Sequence, residues 1–390
     1  MGTSIVLGVS LIAVSSAAYI TNRASHNIEK KITIIPKTTL TLATPKQSLP
    51  SNFLSVLNQS GPYAPMNLVI LGSDTRAGQG KGFGNVAGAR SDTAMLMHIN
   101  ATRTRATIIS FPRDLWVTMP ACTNNQGGSE NKFNAIFAFG GPGCTETGLT
   151  NLTGIPIDHV VVVDFNGFKA IVDSMGGLNV CLAYPVNDDK AHINLPAGKQ
   201  KLNGTQALGL ARARYSLADG SDLQRIKRQQ AMVLLAAKQL KASGIISNPT
   251  RLYDLSKVSA SSLSVDPGLA TLPALAGLAW QIKNLSLSQV QVMTVPYLQD
   301  NFGHYVINHT LADPIFQAII SDTAVPGEPA LEIPSPTPSS KATGTLGILN
   351  ISPSPIDTKT LSLSPGSAAT PTPTPILSPL TKGICAHPLF

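Results

Sequence analysis

The sequence predicts an α/β protein, with one mixed domain in which helices cover a central sheet. The stretch VAGARSDTAMLMHINATRTRATIISFPRDLW holds two nearly continuous apolar runs, residues 93–99 and 105–111, of the length of strands buried on both faces. Amphipathic segments of helical length then alternate with further apolar runs. With 43% hydrophobic residues among 390, the chain has enough apolar material for a large core.

The alternation of strands and helices begins at Asn67, where NLVILG predicts a strand ahead of the two apolar runs. NKFNAIFAFG predicts a helix that starts near Asn131, and DHVVVVDF predicts another buried strand. FNGFKAIVDSMGG has the pattern of an amphipathic helix closed by Gly176 and Gly177, and LNVCL that of a short strand. Further helices are expected at residues 205–212, 222–243 and 268–284, and VQVMTV predicts a last strand.

The N-terminal stretch, residues 2–20, is uncharged, mostly apolar and long enough to cross a bilayer as a helix. We expect a transmembrane anchor over residues 1–21; a cleaved signal peptide is the alternative, because SSAAY offers small residues to a peptidase. Arg23, Lys30 and Lys31 follow the stretch, which argues against the rest of the chain lying outside the cell. Other features favour the outside.

Those features are the cysteines and the tail. Cys122 and Cys144 flank a polar, glycine-rich loop and predict a disulfide, while Cys181–Cys385 is the preferred second pair of three possible pairings. No CxxC pair supports a zinc site instead. Residues 324–390 form a low-complexity tail rich in Pro, Ser and Thr. We therefore expect a membrane-proximal spacer over residues 22–60, the folded domain over 61–323 and then this tail.

Arginine and aspartate residues collect where the predicted strands and helices end. Lysine is nearly absent from these positions, although a solvated surface would use lysine and glutamate. Arginine presents a planar fork that binds phosphate oxygens in pairs and stays charged when dehydrated. The net charge of +8 also suits a polyanionic ligand. The set comprises Asp74, Arg76, Arg90, Asp92, Arg113, Asp114, Arg212, Arg214, Asp222, Arg225, Arg228 and Gln229.

Spacing adds detail to this set. Arg225 and Arg228 share one face of a predicted helix, with Gln229 beside them and Asp222 as the cap at its start. Arg212 and Arg214 can reach one ligand only if the chain leaves helical geometry between them. Asp74 and Asp92, at two neighbouring strand ends, are the best ligands for a cation such as Mg²⁺. The alternative is that Arg–Asp pairs only tie loops down. His98 and His159 are expected in the core.

Several motifs in order resemble the LytR–CpsA–Psr family of cell-wall enzymes, in its actinobacterial form with paired cysteines. They are GSDTR…RSDTAMLMHIN, SFPRDLWV, NKFNAIFAFGG, GIPIDHVVVVDFNGFKAIVDSMGGLNV and PAGKQKLNGTQALGLARARY…DGSDLQRIKRQQ, over about residues 66–240. The resemblance implies a membrane-anchored, extracytoplasmic phosphotransferase. Such an enzyme moves a glycopolymer from a polyprenyl diphosphate onto peptidoglycan as a phosphodiester, with Mg²⁺ as its cofactor, and its sheet lines an apolar slot for the lipid.

The resemblance also implies roles for residues of this chain. Asp74 and Asp92 match the metal-binding acids, and Arg113 and Asp92 are the expected catalytic residues. Arg76, Asp114, Asp222 and Arg228 are expected to support the site. The diphosphate-binding positions match Arg90, Arg113, Arg212, Arg214, Arg225 and Gln229. The sequence departs from the family pattern in a long insertion, residues 77–88, and in the tail that replaces a second folded domain.

Three other functions stay open at this point. The domain could bind a polyprenyl phosphate without turnover, it could hydrolyse the diphosphate with water as acceptor, or it could be a membrane-bound transcriptional regulator. No helix-turn-helix pattern supports the regulator, and an anchor with disulfides would hold the domain away from DNA, so we expect no nucleic-acid partner. The sequence leaves the general base unassigned.

Overall fold

The computed structural model describes residues 29–30, 32–36, 63–73, 91–122, 126–182, 184–213, 222–245, 248, 251, 254–255, 263–283 and 285–326. Its strands are β1 (Thr33–Ile34), β2 (Met66–Ser73), β3 (Ser91–Ile99), β4 (Ala106–Phe111), β5 (Trp116–Thr118), β6 (Glu130–Lys132), β7 (His159–Asp164), β8 (Leu178–Leu182), β9 (Val186–Asp188), β10 (Ile193–Leu195), β11 (Gly198–Leu202), β12 (Leu263–Val265), β13 (Val290–Thr294), β14 (Tyr297–Gln299) and β15 (Tyr305–Ile307). Its helices are α1 (Phe133–Thr153), α2 (Phe165–Ser174), α3 (Gly204–Arg212), α4 (Asp222–Ala242), α5 (Leu272–Gln281) and α6 (His309–Ile320).

Seven strands form one mixed sheet in the order β1-β12-β7-β2-β3-β4-β13. Strand β2 is parallel to β7 and antiparallel to β3, β3 is antiparallel to β4, and β4 is parallel to β13. The last residues of β2, β4, β7 and β13 therefore lie at one edge of the sheet, together with the first residue of β3. We call this edge the carboxyl edge. It brings together segments that are far apart in sequence.

Helices cover both faces of the sheet. Val69, Leu71 and Leu96 lie on one face and are fully buried in a core shared with α1 and α6. The opposite face carries Met95 and Ile108, which pack with α4, and smaller contacts with α5. A separate core joins α2, α3, α4 and the hairpins β8–β11. Successive side chains of β2 point to opposite faces, so Val69 and Leu71 join the core shared with α1 and α6, and Leu68 packs on the opposite face.

The second face contains a line of half-buried apolar side chains, which we call the apolar stripe: Ile70, Met97, Val161 and Val163. The pairing of Ile70 with Val161 and of Leu68 with Met97 places the stripe on three neighbouring strands. Central strands of a sheet covered on both faces are normally buried completely. The stripe therefore marks an apolar surface within the fold that its neighbours cover only in part, and it runs toward the carboxyl edge.

Most predicted elements are confirmed, among them β2, β3, β4, β7, α3, α4 and β13. Gly176 and Gly177 end α2 with φ of +76° and +99°, and their N–H groups donate to Asp173 and Val172. His98 of β3 and His159 of β7 are 1% and 4% exposed, so both lie in the core as predicted.

Two predicted helix boundaries are wrong. The helix expected near Asn131 begins only at Phe133, because residues 130–132 pair with β5 as strand β6. The helix expected at residues 268–284 is shorter: Pro267–Leu269 forms a single 3₁₀ turn, and Thr271 then caps a new helix by accepting the N–H of Ala274. In both cases a local alternative for the backbone hydrogen bonds competes with helix.

The ends of the predicted domain extend further than residues 61–323. Strand β1 pairs with β12, and the flanking Ile32 and Ile35 are 6% and 1% exposed, although they lie in the predicted spacer. Val325 is buried against the core of α1 and α6. In the described part of the chain, no helix is both long and apolar enough to cross a membrane. The predicted anchor, residues 1–21, and the tail beyond residue 326 lie outside the described residues.

Candidate active site at the carboxyl edge

Seven members of the predicted charged set are described in full: Asp92, Arg113, Asp114, Arg212, Arg225, Arg228 and Gln229. Asp222 begins α4, but its side chain is not among those described. Four further members lie outside the described residues, namely Asp74, Arg76, Arg90 and Arg214. The sheet topology and the helix packing carry the described members to the carboxyl edge.

Asp92 occupies a β-bulge at the start of β3. Gly72 pairs with Thr93 and Ser73 pairs with Ser91, so Asp92 has no residue opposite it on β2. Such an extra residue re-aims its side chain, and bulges of this kind are frequent beside active sites. Asp92 Oδ1 accepts a hydrogen bond of 2.8 Å from Arg113 Nη1. The two side chains are 33% and 23% exposed, so this ion pair is open to a ligand.

The turn after β4 fixes Arg113. Leu115 N–H donates to the Pro112 carbonyl, and the carbonyls of Arg113 and Leu115 accept the N–H groups of Asn134 and Phe133 at 3.0 and 2.7 Å. The first N–H groups of α1, which have no partner within the helix, are satisfied by this turn. The backbone of Arg113 is therefore held by hydrogen bonds that do not involve its side chain, so the guanidinium can take part in the site.

Asp114 supports the turn from its outer side. Its Oδ1 accepts from Lys132 Nζ at 2.9 Å, and its Oδ2 lies 3.5 Å from Arg113 Nε. Partial burial acts to raise the pKa of the Asp114 carboxyl, but the Lys132 hydrogen bond and the positive charges of Arg113 and Lys132 outweigh it and lower that pKa below its ordinary value. Asp114 is thus an anion in contact with Arg113, and its supporting role in the site stays a prediction.

Arg212 enters the same edge from α3. It is the last residue of that helix, and its guanidinium stacks 4.7 Å from the ring centroid of Phe165, which directly follows β7. Ala213 has φ of −56° and ψ of 135°, so the chain leaves helical geometry immediately after Arg212. A departure from helical geometry after Arg212 is what the sequence requires if Arg212 and Arg214 are to bind one ligand. Arg212 itself is exposed and keeps its guanidinium edge for an anion.

The arginines of α4 are more buried than the prediction implied. Arg225 and Arg228 are 5% and 7% exposed, and an Nη2–H of Arg228 donates to the carbonyl of Ala213. Arg228 therefore contacts the turn after Arg212, and its supporting role in the site stays a prediction. Arg225 was predicted to bind the diphosphate directly, and its burial places it below the surface that the other arginines form. Gln229 beside them is half-buried.

Sequence reasoning missed Gln230. It is 6% exposed, and its Nε2 donates to Ser110 Oγ at 2.9 Å and to the Met293 carbonyl at 3.1 Å. This side chain fastens the first half of α4 to the ends of β4 and β13. A signal existed: Gln230 lies four residues from both Ile226 and Leu234 in an otherwise buried row, and a polar residue in an apolar row needs a partner.

The assembled edge combines cations with acids, among them the partly exposed Asp92. Arg113 and Arg212 can bind phosphate oxygens, and Arg225 and Arg228 add positive charge beneath them. Asp92 can offer its second carboxylate oxygen to a hard cation, which fits one ligand of a magnesium ion. Among the residues described, no three His, Cys, Asp or Glu side chains gather to form a metal site by themselves. The second predicted ligand, Asp74, lies outside them.

A shallow crevice elsewhere in the molecule lacks these features. It is lined by residues that include Ser174, Ser243, Arg251 and Asp254. Ser174 is the last residue of α2 and Ser243 follows the last residue of α4, whereas the arginine cluster lies near the first residues of these helices. The crevice is therefore separate from the carboxyl edge, and we favour the carboxyl edge as the site because its charges converge.

Cys122 and Cys144 are paired, with Cα atoms 5.7 Å apart. The pair ties the segment after β5 to α1 just beyond a break in that helix, where Gly141 has φ of +68° and Pro142 follows. A side chain at Gly140 would come within 2.8 Å of the Cys122 sulfur, so the pair requires a glycine there. Cys385, the predicted partner of Cys181, lies outside the described residues.

Residues 32–319 match the model of the LytR_cpsA_psr family. The chain belongs to this family. The match begins at β1 and ends within α6, so it covers the whole sheet and the carboxyl edge. The resemblance identified from the motifs is confirmed.

Two curated relatives give the degree of similarity. LcpB of Corynebacterium glutamicum, named a probable cell wall biosynthesis protein, is 31% identical over 213 residues, which are 53% of this chain and 49% of that protein. TagU of Enterococcus faecalis, named a polyisoprenyl-teichoic acid–peptidoglycan teichoic acid transferase, is 30% identical over 47% of this chain and 56% of its own length. The chain thus spans about half the length of these relatives.

A solved structure is similar over a larger share. The LytR-Csp2A-Psr enzyme from Actinomyces oris has 25% sequence identity and a TM-score of 0.52, and the match covers 71% of this chain and 95% of that one. This LytR–CpsA–Psr structure shares the mixed α/β fold with its central sheet. The predicted fold class is therefore confirmed for the folded domain.

Proposed function

We propose that this protein is a phosphotransferase that moves a glycopolymer from a polyprenyl diphosphate carrier to peptidoglycan. The observation that carries the proposal is the accessible Asp92–Arg113 pair at the carboxyl edge, with the apolar stripe leading to it. An amphiphilic diphosphate needs this combination of a dry surface and a cationic rim. The name of the E. faecalis relative, a teichoic acid transferase, supports the same reaction class.

Each end of the donor has a candidate surface. The isoprenoid would lie along the apolar stripe, between the sheet and the helices on that face. Arg113 and Arg212 would bind the diphosphate oxygens, joined by Arg90 and Arg214 as the family resemblance implies. Arg225 and Gln229 would act from below, through the charge of Arg225 and the half-exposed side chain of Gln229.

The reaction would be a displacement at phosphorus. A hydroxyl oxygen of peptidoglycan bonds to the glycan-side phosphorus, and the hydroxyl proton is released to solvent. The bond from that phosphorus to the bridging oxygen breaks, and polyprenyl phosphate leaves with the electron pair. Positioning and charge neutralisation dominate the catalysis of such transfers. Arg113 and Arg212 would neutralise the leaving phosphate, while Asp92 holds Arg113 in place. A magnesium ion on Asp92 and Asp74 would add charge neutralisation when bound.

The proposed reaction implies a location and partners. We propose that residues 1–21 anchor the chain in the cytoplasmic membrane and that the folded domain lies outside the cytoplasm, where peptidoglycan is found. A single-pass anchor would keep the apolar stripe near the bilayer that supplies the lipid carrier. Nucleic acid has no role in this proposal.

The test is to follow a labelled glycan from a synthetic polyprenyl diphosphate donor, with the full-length protein, Mg²⁺ and peptidoglycan. The proposal expects the label on peptidoglycan as a phosphodiester. Free glycan in solution would instead identify a hydrolase, and unchanged donor bound to the protein would identify a lipid-binding protein without turnover. Asp92→Asn should raise the Mg²⁺ concentration needed for half-maximal transfer, because the amide keeps the shape but loses the charge.

A further inference from the structure

An exposed group of aromatic side chains lies beside the proposed site but takes no part in it. We call Trp116, Phe302, His304 and Tyr305 the aromatic platform. The rings of Trp116 and His304 stack at 4.1 Å with an angle of 6°, and Phe302 lies 6.2 Å from His304. The Phe302 side chain is 87% exposed and Tyr305 is 44% exposed. An exposed cluster of apolar rings marks a ligand- or partner-binding surface.

The loop that carries Phe302 and His304 is held by several hydrogen bonds. Asp300 Oδ1 accepts the N–H groups of Phe302 and His304 at 2.9 and 2.8 Å, and Asp300 Oδ2 lies 3.2 Å from His304 Nδ1. Gln299 Nε2 donates to the carbonyl of Gly303, whose φ is +85°. Because hydrogen bonds between the Asp300 and Gln299 side chains and the backbone hold the loop, its rings are in place before any ligand binds.

Acidic groups border the platform. Trp116 Nε1 donates to Glu130 Oε2 at 3.1 Å, and the carboxylates of Asp300 and Asp114 lie on neighbouring turns. Lys132 is already engaged with Asp114. A surface that binds an anionic membrane would carry an excess of lysine and arginine. Flat rings next to carboxylates instead suit a ligand with C–H faces and hydroxyl donors, which describes a pyranose ring.

The platform lies next to the phosphate site. Trp116 is three residues after Arg113, and Leu115 between them forms a β-bridge with Tyr305. Leu115 and Ile307 are buried in the core on the α1 and α6 side of the sheet. The apolar stripe lies on the opposite face. The platform and the lipid surface therefore approach the carboxyl edge from opposite sides.

The positions of the platform and the apolar stripe favour the acceptor glycan as the ligand of the platform. In phosphoryl transfer the attacking and leaving oxygens lie roughly in line on opposite sides of phosphorus. If the lipid phosphate leaves toward the stripe, the attacking hydroxyl must come from the platform side. We propose that the aromatic platform binds the acceptor, a sugar ring of the peptidoglycan glycan strand, and so positions its hydroxyl. This inference rests on the proposed function and adds the acceptor's binding surface to it.

The test compares substitutions at Phe302 in the full-length protein, measured by cosedimentation with purified peptidoglycan sacculi. Phe302→Leu keeps an apolar side chain but removes the ring face, and we expect the apparent Kd to rise by about two- to tenfold, the value of one aromatic contact. Phe302→Tyr keeps the ring face and should bind as the unaltered protein does. Ile320→Ala is the control, because Ile320 is 40% exposed at the far end of α6.

Equal binding by Phe302→Leu and the unaltered protein would overturn the proposal, as would equal loss in Phe302→Leu and Phe302→Tyr. The ring is exposed, and its backbone N–H is kept in both variants, so both should fold. Transfer assays separate the two proposals. A raised acceptor KM with unchanged donor binding in Phe302→Leu supports the platform. Sacculus binding without any transfer would reject the transferase and leave the platform standing, and transfer with an unchanged acceptor KM would reject the platform alone.

Discussion

The Asp92–Arg113 pair is exposed enough to favour a role in ligand binding over a purely structural one. Both side chains are about a quarter to a third exposed. Ion pairs in contact with water contribute about 0 to 1 kcal/mol to the free energy of unfolding. The Asp92–Arg113 pair contributes little to folding and lies on a bulge at an edge where several cations converge. Ligand binding explains this placement better than stability does.

Replacing Arg113 tests this explanation. We expect Arg113→Ala to lower glycan transfer by about 10²- to 10³-fold, because it removes a charge aimed at the leaving phosphate. The free energy of unfolding should fall by no more than about 1 kcal/mol. Lys199→Ala is the control, since it removes one positive charge from an exposed position on β11. A large loss of stability with full activity per folded molecule would make Arg113 a structural residue.

Asp114 gives a prediction for pH. Its folded-state pKa is lowered, so its contribution to stability is fully present above its unfolded pKa of about 3.9 and is lost as the pH falls through the folded value. We expect Asp114→Asn to unfold at lower urea concentration than the unaltered protein at pH 7. The difference should shrink steadily as the pH is lowered below about 4. A difference that is the same at pH 3 and pH 7 would contradict the assignment.

Among the elements, α1 depends most on its surroundings. Its first N–H groups bind the turn that holds Arg113, and its break at Gly141 is followed by the disulfide at Cys144. Helix α1 thus connects the turn of Arg113 to the Cys122–Cys144 disulfide, which lies some ten residues further along the helix. We expect the link to fix the second half of α1 against the segment after β5 and so to limit its motion.

The double variant Cys122→Ser/Cys144→Ser tests that role. A disulfide that closes a loop of about this size stabilises a domain by roughly 2 to 4 kcal/mol. We expect the variant to lose that amount in urea denaturation while keeping transfer activity per folded molecule. Peptide mapping of the unaltered protein under non-reducing conditions is the companion measurement. Finding both cysteines as free thiols would contradict the pairing.

At the scale of the whole molecule, the chemistry and the compartment must agree. Disulfides persist outside the cytoplasm, and a lipid-linked donor, if the proposed reaction holds, would keep the domain near a membrane. The proposed topology therefore follows from the same features as the proposed reaction. Only the three basic residues after the apolar N-terminal stretch argue against it.

A reporter fusion tests the topology. We expect alkaline phosphatase fused to the C-terminus to be active in cells, because it needs an oxidising compartment. A fluorescent reporter that matures only in the cytoplasm, fused at the same place, serves as the reciprocal control and should stay dark. The opposite pair of results would place residues 61–390 inside the cell and would exclude peptidoglycan as the acceptor.

The sequence by itself determined the fold class, the order of most elements and the identity of the charged set. Strands such as β4 are apolar throughout because both of their faces are covered, and that pattern can be read without a structure. Residue chemistry also transfers directly, since an arginine fork suits phosphate in any setting. Short motifs in a fixed order were enough to indicate the family.

Tertiary structure decided which charges are exposed at the carboxyl edge. Arg225 and Arg113 look alike in sequence, yet one is 5% exposed and the other lies open beside Asp92. Exposure depends on which elements pack above a residue, and α4, α3 and β4 meet only in the folded chain. The same holds for the aromatic platform. Its Trp116 and His304 are 188 positions apart, and they touch because Tyr305 of β15 forms a β-bridge with Leu115, the residue before β5. Local pattern carries no information about such contacts, because they arise from the packing of segments distant in sequence.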